Sequence, residues 1–341
     1  CATYPRVIHS IGDIRETALT LSCPEAARLV LLNPDLPALD SQQGAEAQPL
    51  VLRNGAEPID GYLSSQFFWF WPIRQVVLLL IRNRVYPLWQ RLFLLGVFCR
   101  RLDAIASGEL KRSVPDFLKD FAASVASGAL IGAMETLPLD REAQLDVVLR
   151  LAGMLLRRSN LRPRFLECVQ AFTSGIGNRP GATIQSLAAD YALAHDRYYA
   201  PFFDRHPYIL ENFLTNTILR CRFPFGQVSE QTPLSMTREF ALLTAQFALM
   251  KGLLIGVAGF HREAFSAEHV VHTVQAASKH FEHHPEFLNL AHELLVESHM
   301  DGAHGLAILL RNTEPKPSRP APQQPPIPPP QPELAAPIPV S

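Results

Sequence analysis

The sequence predicts a mainly α fold: an irregular multi-helix array with a small cysteine-containing section at the amino terminus and a disordered, proline-rich tail. Apolar residues recur at spacings of three and four along most of the chain, and strand signals are scarce. No repeat period is sustained, which argues against a regular solenoid. With 341 residues, 48% of them hydrophobic, the chain can bury a large core without disulfides.

Composition divides the chain into four segments. Residues 1–32 form the amino-terminal section, 33–59 a surface loop rich in Pro, Gly, Gln and Ala, 60–312 the helical body and 313–341 the tail. Because proline favours polyproline II and buries no core, the tail is expected to be solvated. Docking into the aromatic groove of an SH3- or WW-like partner is the alternative.

The amino-terminal section is predicted to contain an extended stretch at 15–21 that leads into a short helix. Ser22 is placed to cap this helix, and Pro24 lies in the first turn, where a missing N–H costs nothing. Glu25 stands three residues after Ser22, as a capping box requires.

The helical body is predicted from stretches that share helical apolar spacing, at about 60–82, 86–107, 114–127, 139–158, 163–173, 183–199, 207–221, 235–258, 266–282 and 285–300. Three helix starts are encoded locally. Ser113 precedes Pro115, Ser266 precedes Glu268, and Pro285 restarts a helix.

Charge, cysteine content and hydropathy exclude several classes of protein. Lys and Arg (31) balance Asp and Glu (32), so the chain lacks the positive field that general nucleic-acid binding requires. Five cysteines without regular spacing favour reduced thiols in a cytoplasm over a secreted disulfide framework. Prolines and arginines divide the apolar region 67–98 into pieces shorter than the roughly 20 residues of a membrane span. Buried helices are therefore predicted there, with a membrane hairpin as the alternative.

Cysteines 1 and 23 are candidate metal ligands. Cys23 falls in the first turn of the predicted helix, where unpaired N–H groups and the helix dipole favour a thiolate; a small buried residue is the alternative. Two thiolates are too few for a closed zinc or iron–sulfur site, which takes four protein ligands. Because no methionine precedes Cys1, we expect the chain to be a fragment whose metal site is completed by residues elsewhere.

The runs CATYPR at 1–6, LTLSCPEAARL at 19–29, and HPYILENFL at 206–214 with FPF at 223–225 resemble the flagellin lysine-N-methylase family. The resemblance extends to about residue 311. It implies methyl transfer from S-adenosylmethionine to lysine side chains of flagellin. It also implies an iron–sulfur cluster that includes Cys1 and Cys23 and draws its other ligands from a cysteine-rich segment before them. The fragment itself is then expected to be inactive.

Methyl transfer to an amine requires a deprotonated nitrogen, and therefore desolvation or a base. The second run offers four polar candidates for the catalytic site, Tyr208, Glu211, Asn212 and Asn216. Three of them stack at four-residue intervals on one helix face, and Glu211 is placed to help receive the lysine. A buried network that fixes helix packing is the alternative.

Four further residues are candidates for cofactor binding. Tyr4 and Arg6 lie in the first matching run, and Tyr198 and Tyr199 could form an aromatic wall for an adenine ring or a lysine stem. Core packing is the alternative for the second pair. Gly175 and Gly177 lack the third glycine and the preceding strand of a Rossmann-type nucleotide loop.

Nine of the twelve histidines follow Phe260. His269 and His272, and likewise His280 and His284, have spacings that place each pair on one helix face, as a zinc site requires. A solvated or interface role is the alternative. The competing function is a non-catalytic helical adaptor or metal-binding scaffold that docks a partner through its tail or these histidine-rich helices.

Overall fold

A computed structural model describes residues 4–11, 14–36, 69–157, 161–226, 235–282 and 286–313. Within these ranges the chain is overwhelmingly helical, which confirms the predicted fold class. The predictions for Cys1, most of the 33–59 loop, His284, Pro285 and the tail from 314 lie outside the described residues.

The amino-terminal section is a β-hairpin followed by one helix. Strands β1 (Arg6–Ile11) and β2 (Ile14–Leu19) pair antiparallel, with Arg6 opposite Leu19 and Ile11 opposite Ile14. Helix α1 spans Pro24–Leu31. The extended stretch predicted before this helix is largely β2, while β1 was not predicted.

The helical body consists of α2 (Phe70–Arg82), α3 (Leu88–Ala106), α4 (Val114–Ala126), α5 (Ile131–Glu135), α6 (Arg141–Leu156), α7 (Pro163–Gly175), α8 (Ile184–Ala194), a π-helical turn (His195–Tyr199), α9 (Ala200–Arg205), α10 (Tyr208–Arg220), α11 (Met236–His261), a 3-10 turn (Arg262–Ala264), α12 (Ala267–Phe281), α13 (Phe287–Glu297) and α14 (Ala303–Leu310). Every stretch predicted from apolar spacing contains one of these helices. The short helices α5, α9 and α14 were not predicted.

Helix α11 lies at the centre of the body. Residues 240–258 are all buried, and α3, α6, α7, α8, α12, α13 and α14 pack around them. By length and composition, the segment Met236–Ala264 would suit a membrane span, but its most apolar window is wholly buried inside the protein. The apolar region predicted to form buried helices contains α2 and the start of α3, which pack on each other.

The start of α1 differs from the prediction. Its N-cap residue is Cys23, without a side-chain cap, so the capping box of Ser22 and Glu25 was wrong. The Ser22 hydroxyl lies 2.8 Å from that of Thr20, which donates to Glu282, and Glu25 pairs with Arg28 on the surface. A carboxylate from α12, distant in sequence, thus engages the hydroxyl groups that precede the helix.

Two other predicted starts are confirmed. The Ser113 hydroxyl accepts a hydrogen bond from the Asp116 N–H at the start of α4. Helix α12 begins directly after Ser266, whose N–H donates to His269 Nδ1 at 3.1 Å. The capping partner is therefore an imidazole three residues on.

Candidate functional site

The polar face of α10 holds the amino-terminal section. The Asn216 amide accepts from Leu19 N–H at 3.0 Å and donates to Leu19 C=O at 2.8 Å, as a neighbouring strand would. Asn212 donates to the carbonyls of Val30 and Asn33 at the end of α1, at 2.9 and 2.7 Å. Both amides are therefore bound to backbone groups from a distant part of the chain.

Glu211 is buried between two guanidinium groups. Arg84 donates to both carboxylate oxygens, at 3.0 and 2.9 Å, and Arg91 donates to one at 2.8 Å. Arg91 also donates to the carbonyls of Ile81 and Tyr86, both at 2.7 Å, so the cluster ties α10 to the turn between α2 and α3. These contacts are those of the packing network proposed as the alternative. A catalytic role for Tyr208, Glu211, Asn212 and Asn216 stays a prediction.

The four residues predicted to bind the cofactor form two pairs, one at β1 and one on the π-helical turn. Tyr4 precedes β1 and is half-exposed, with its hydroxyl 3.4 Å from that of Ser22, and Arg6 is exposed on β1. Tyr198 and Tyr199 belong to the π-helical turn, which packs on α11. Their assignment to a cofactor stays a prediction.

Tyr199 itself is part of an aromatic stack. Its buried ring lies 5.3 Å from the ring of His195 and 4.4 Å from that of Phe203, centroid to centroid. Tyr198 is partly exposed and lies beneath the guanidinium group of Arg197. Tyr199 therefore has the surroundings of a core residue, as in the alternative given for it.

Cys23 is the N-cap residue of α1, and its thiol is free and partly exposed. Within the described ranges, no group of three or more His, Cys, Asp or Glu side chains is placed to hold a metal ion. The described residues alone therefore do not fit an iron–sulfur cluster. Cys1, the other predicted ligand, lies outside these ranges.

A cleft of about 610 Å³ opens beside Cys23, between α1, α7 and α12. Its lining combines apolar stems with charged and polar groups: Pro24, Arg28, Leu32, Arg164, Glu268, His269, Val271, His272 and Gln275. Gln275 donates to the Ser22 carbonyl at 2.8 Å and so joins α12 to the start of α1. The volume lies in the range of small-molecule sites.

A second cavity, of about 320 Å³, shares two lining residues with the cleft. It lies between α7, α11 and α12, and its walls are Glu167, Cys168, Ala171, Val257, Phe260, His261, His269, His272 and Thr273. Because His269 and His272 line both spaces, they form the boundary between the cleft and this cavity. We call the two spaces the large cleft and the small cavity.

The imidazoles of the small cavity have unusual surroundings. The rings of His261 and His269 stack with centroids 3.7 Å apart. Burial, and the proximity of other imidazoles, lower the pKa of both residues below the ordinary value of 6.5, so both are neutral at pH 7. The Nε2 atom of His272 is buried and has no hydrogen-bond partner. Burial also raises the pKa of Cys168 to about 11, so its thiol stays protonated.

The spacing of His269 and His272 places them on one helix face but does not identify what they face. The contributions of Arg28, Arg164 and Glu268 were missed. Arg28 lies far from the others along the chain, and surface charges on amphipathic helices are common, so no local pattern distinguishes these three. Only the packing of α1 and α7 against α12 brings them together.

An α-helical domain with a ligand-sized cleft, charged side chains and neutral imidazoles has the features of a binding or catalytic domain. The chain belongs to the FliB lysine N-methylase family, whose C-terminal domain matches residues 74–309. This finding confirms the resemblance drawn from the sequence, and the family name denotes a methyltransferase. The match includes α7, α11 and α12. No curated protein and no solved structure matches the chain.

Proposed function

We propose that this chain is the helical body of an enzyme that transfers methyl groups from S-adenosylmethionine to lysine ε-amino groups of flagellin, in the cytoplasm. Membership of the FliB lysine N-methylase family supports the reaction and the substrate. The observation that carries the proposal in this chain is the large cleft, which has the size of a cofactor site and borders two imidazoles. A non-catalytic adaptor would not need such a cleft.

The lining of the large cleft suits an amino-acid sulfonium compound. Arg164 can pair with a carboxylate, and Glu268 can pair with an α-amino group. Leu32 and Val271 supply apolar surface. When bound, S-adenosylmethionine supplies a methyl group activated by positively charged sulfur. An iron–sulfur centre that includes Cys1 and Cys23, as the family resemblance implies, would require further ligands.

Activity is tested on the full-length protein purified without oxygen. We expect incubation with S-adenosylmethionine and unmodified flagellin to add methyl groups to flagellin lysines, detected by peptide mass spectrometry. Flagellin that stays unmodified, with an intact cofactor complex demonstrated in the same sample, would contradict the proposal. Iron and sulfide analysis of that sample tests the metal centre separately.

The cofactor site is tested by binding. Arg164→Glu should raise the Kd for labelled S-adenosylmethionine about tenfold or more, because a carboxylate replaces the guanidinium that pairs with the ligand, a change of about 1.4 kcal/mol. Arg101→Glu makes the same charge change at an exposed position of α3, outside the residues that line the cleft, and should leave the Kd unchanged. Equal effects of both variants would place the site elsewhere.

A further inference from the structure

The small cavity takes no part in the cofactor site proposed above. Its apolar walls, Ala171, Val257 and Phe260, have the character that the four methylene groups of a lysine side chain require. The Phe260 ring is 51% exposed, so this lining reaches the protein surface, where an extended substrate segment can approach. Glu167 is exposed and supplies a negative charge that attracts an ammonium group.

We infer that the small cavity receives the target lysine side chain and that His272 Nε2 accepts the proton from its ammonium group. This inference rests on the proposed methyl transfer, because it assigns the second substrate of that reaction to the same site. His272 is the residue of choice because its Nε2 is buried and unpartnered, and it borders the large cleft as well.

The other two imidazoles of the small cavity are held by contacts of their own. His269 Nδ1 accepts from the Ser266 N–H, so in the neutral ring the proton is on Nε2. The stacked ring of His261 fixes the orientation of the His269 ring. Both rings are neutral at pH 7, so they add no positive charge that would repel an incoming ammonium group.

His272 takes one proton from the lysine ammonium group and leaves a neutral amine with a free electron pair. That pair forms the new N–C bond to the methyl carbon as the C–S bond breaks, and the bonding electrons of the C–S bond stay on sulfur, which becomes neutral. The methylated nitrogen carries the positive charge, and the proton on His272 passes to solvent. Enclosure of the amine favours its neutral form before the proton is removed.

Charged and titratable groups line these spaces from each neighbouring helix: Arg28 on α1, Arg164, Glu167 and Cys168 on α7, His261 on α11, and Glu268 and His269 on α12. Cys168 is protonated, and the two histidines are neutral, at pH 7.

Occupation of the cavity is tested without catalysis by adding n-butylamine, which reproduces the lysine side chain, to the full-length protein. We expect n-butylamine to shift the ¹H–¹⁵N NMR signals of the His269 and His272 imidazoles, whereas n-butanol should shift them much less. Ala171→Phe fills the cavity and should abolish the shifts. Glu167→Lys, an exposed change that is safe for folding, should weaken n-butylamine binding about tenfold or more. Absence of n-butylamine shifts in the folded wild-type protein overturns the inference, whatever the protein methylates.

The role of His272 is tested by kinetics. His272→Gln should lower the rate of lysine methylation by roughly a hundredfold or more, with the Kd for S-adenosylmethionine unchanged. His292→Gln changes a partly exposed histidine on α13, outside both spaces, and should keep the wild-type rate. A wild-type rate in His272→Gln excludes His272 as the proton acceptor. A wild-type protein that binds n-butylamine but never methylates flagellin contradicts the proposed function while upholding the lysine cavity.

Discussion

At the scale of single residues, Glu211 shows how one side chain fits two different hypotheses. A carboxylate on a polar helix face suggests a group that receives lysine, yet here it is 4% exposed and accepts hydrogen bonds from Arg84 and Arg91. A buried charge is tolerated because its partners are charged and well aligned. Losing the carboxylate would leave Arg91 buried without its counter-ion.

The stabilities of two variants distinguish these hypotheses. Glu211→Ala should lower the free energy of unfolding by about 3–5 kcal/mol, because it leaves the Arg91 guanidinium buried without a counter-ion. Arg84→Ala removes a half-exposed partner and should cost about 1 kcal/mol or less. Urea denaturation followed by circular dichroism measures both. A Glu211→Ala protein with wild-type stability and no methylase activity would instead support the catalytic assignment.

At the scale of elements, the contact between α7 and α11 depends on glycine. A methyl group on Gly256 would overlap the backbone and ring of Phe172, and one on Gly175 would overlap the carbonyl oxygen of Gly256. The two helices therefore approach more closely than side chains would allow. Because α7 and α11 both line the small cavity, this approach also sets its width.

The matched test compares two glycines within helices. Gly256→Ala should destabilise the protein by about 1–3 kcal/mol, since the added methyl forces the backbones apart. Gly153→Ala lies on α6, where an added methyl group meets nothing within 4 Å, and should be neutral or stabilising by up to about 1 kcal/mol. Thermal unfolding measures the two. If both variants behaved alike, helix propensity rather than close packing would govern this position.

At the scale of the whole molecule, two buried charges in α11 tie stability to pH. Lys251 Nζ donates to the carbonyls of Leu309 and Leu310 at 2.8 and 2.9 Å, and so holds the end of α14 against the core. Burial lowers the pKa of Lys251 from 10.5 to about 7. Burial likewise raises the pKa of Glu239 from 4.5 to about 7, against the opposing influence of nearby arginines.

Lys251 and Glu239 change the free energy of unfolding in different pH ranges and with opposite sign. From pH 7 to 10.5 the unfolded chain retains the Lys251 proton that the folded chain has released, so the free energy of unfolding rises with pH. From pH 4.5 to 7 the folded chain retains the Glu239 proton that the unfolded chain has lost, so the free energy falls as pH rises. Each slope is at most about 1.4 kcal/mol per pH unit.

One variant of each residue separates the contribution of Lys251 to stability from that of Glu239. The stability difference between wild type and Lys251→Met should vary with pH only above 7, and that between wild type and Glu239→Gln only below 7. Denaturant unfolding at intervals from pH 4.5 to 10.5 measures both differences. A difference that is flat across its own window would show that the group titrates alike in the folded and unfolded chains.

Local signals in the sequence predicted most of the helices. Apolar spacing located the long helices, and Ser113 capped α4 as its hydroxyl predicted. Ser22 failed as a cap although its local pattern was correct, because Thr20 and Glu282 engage that region through contacts from across the molecule. Strand β1 was missed, since a short hairpin against a helical body is stabilised by its partners more than by its own residues.

By itself, the sequence determined the helical class, the order of the long helices and, through its family motifs, the methylase relationship, because each is written in neighbouring residues. Only tertiary structure decided that α10 binds the amino-terminal section and that His269 and His272 separate two cavities. These features join residues from helices far apart in the chain, and their positions depend on how the faces of α1, α7, α11 and α12 meet. Hydrophobic burial drives that meeting but is non-directional, so periodicity alone does not specify it.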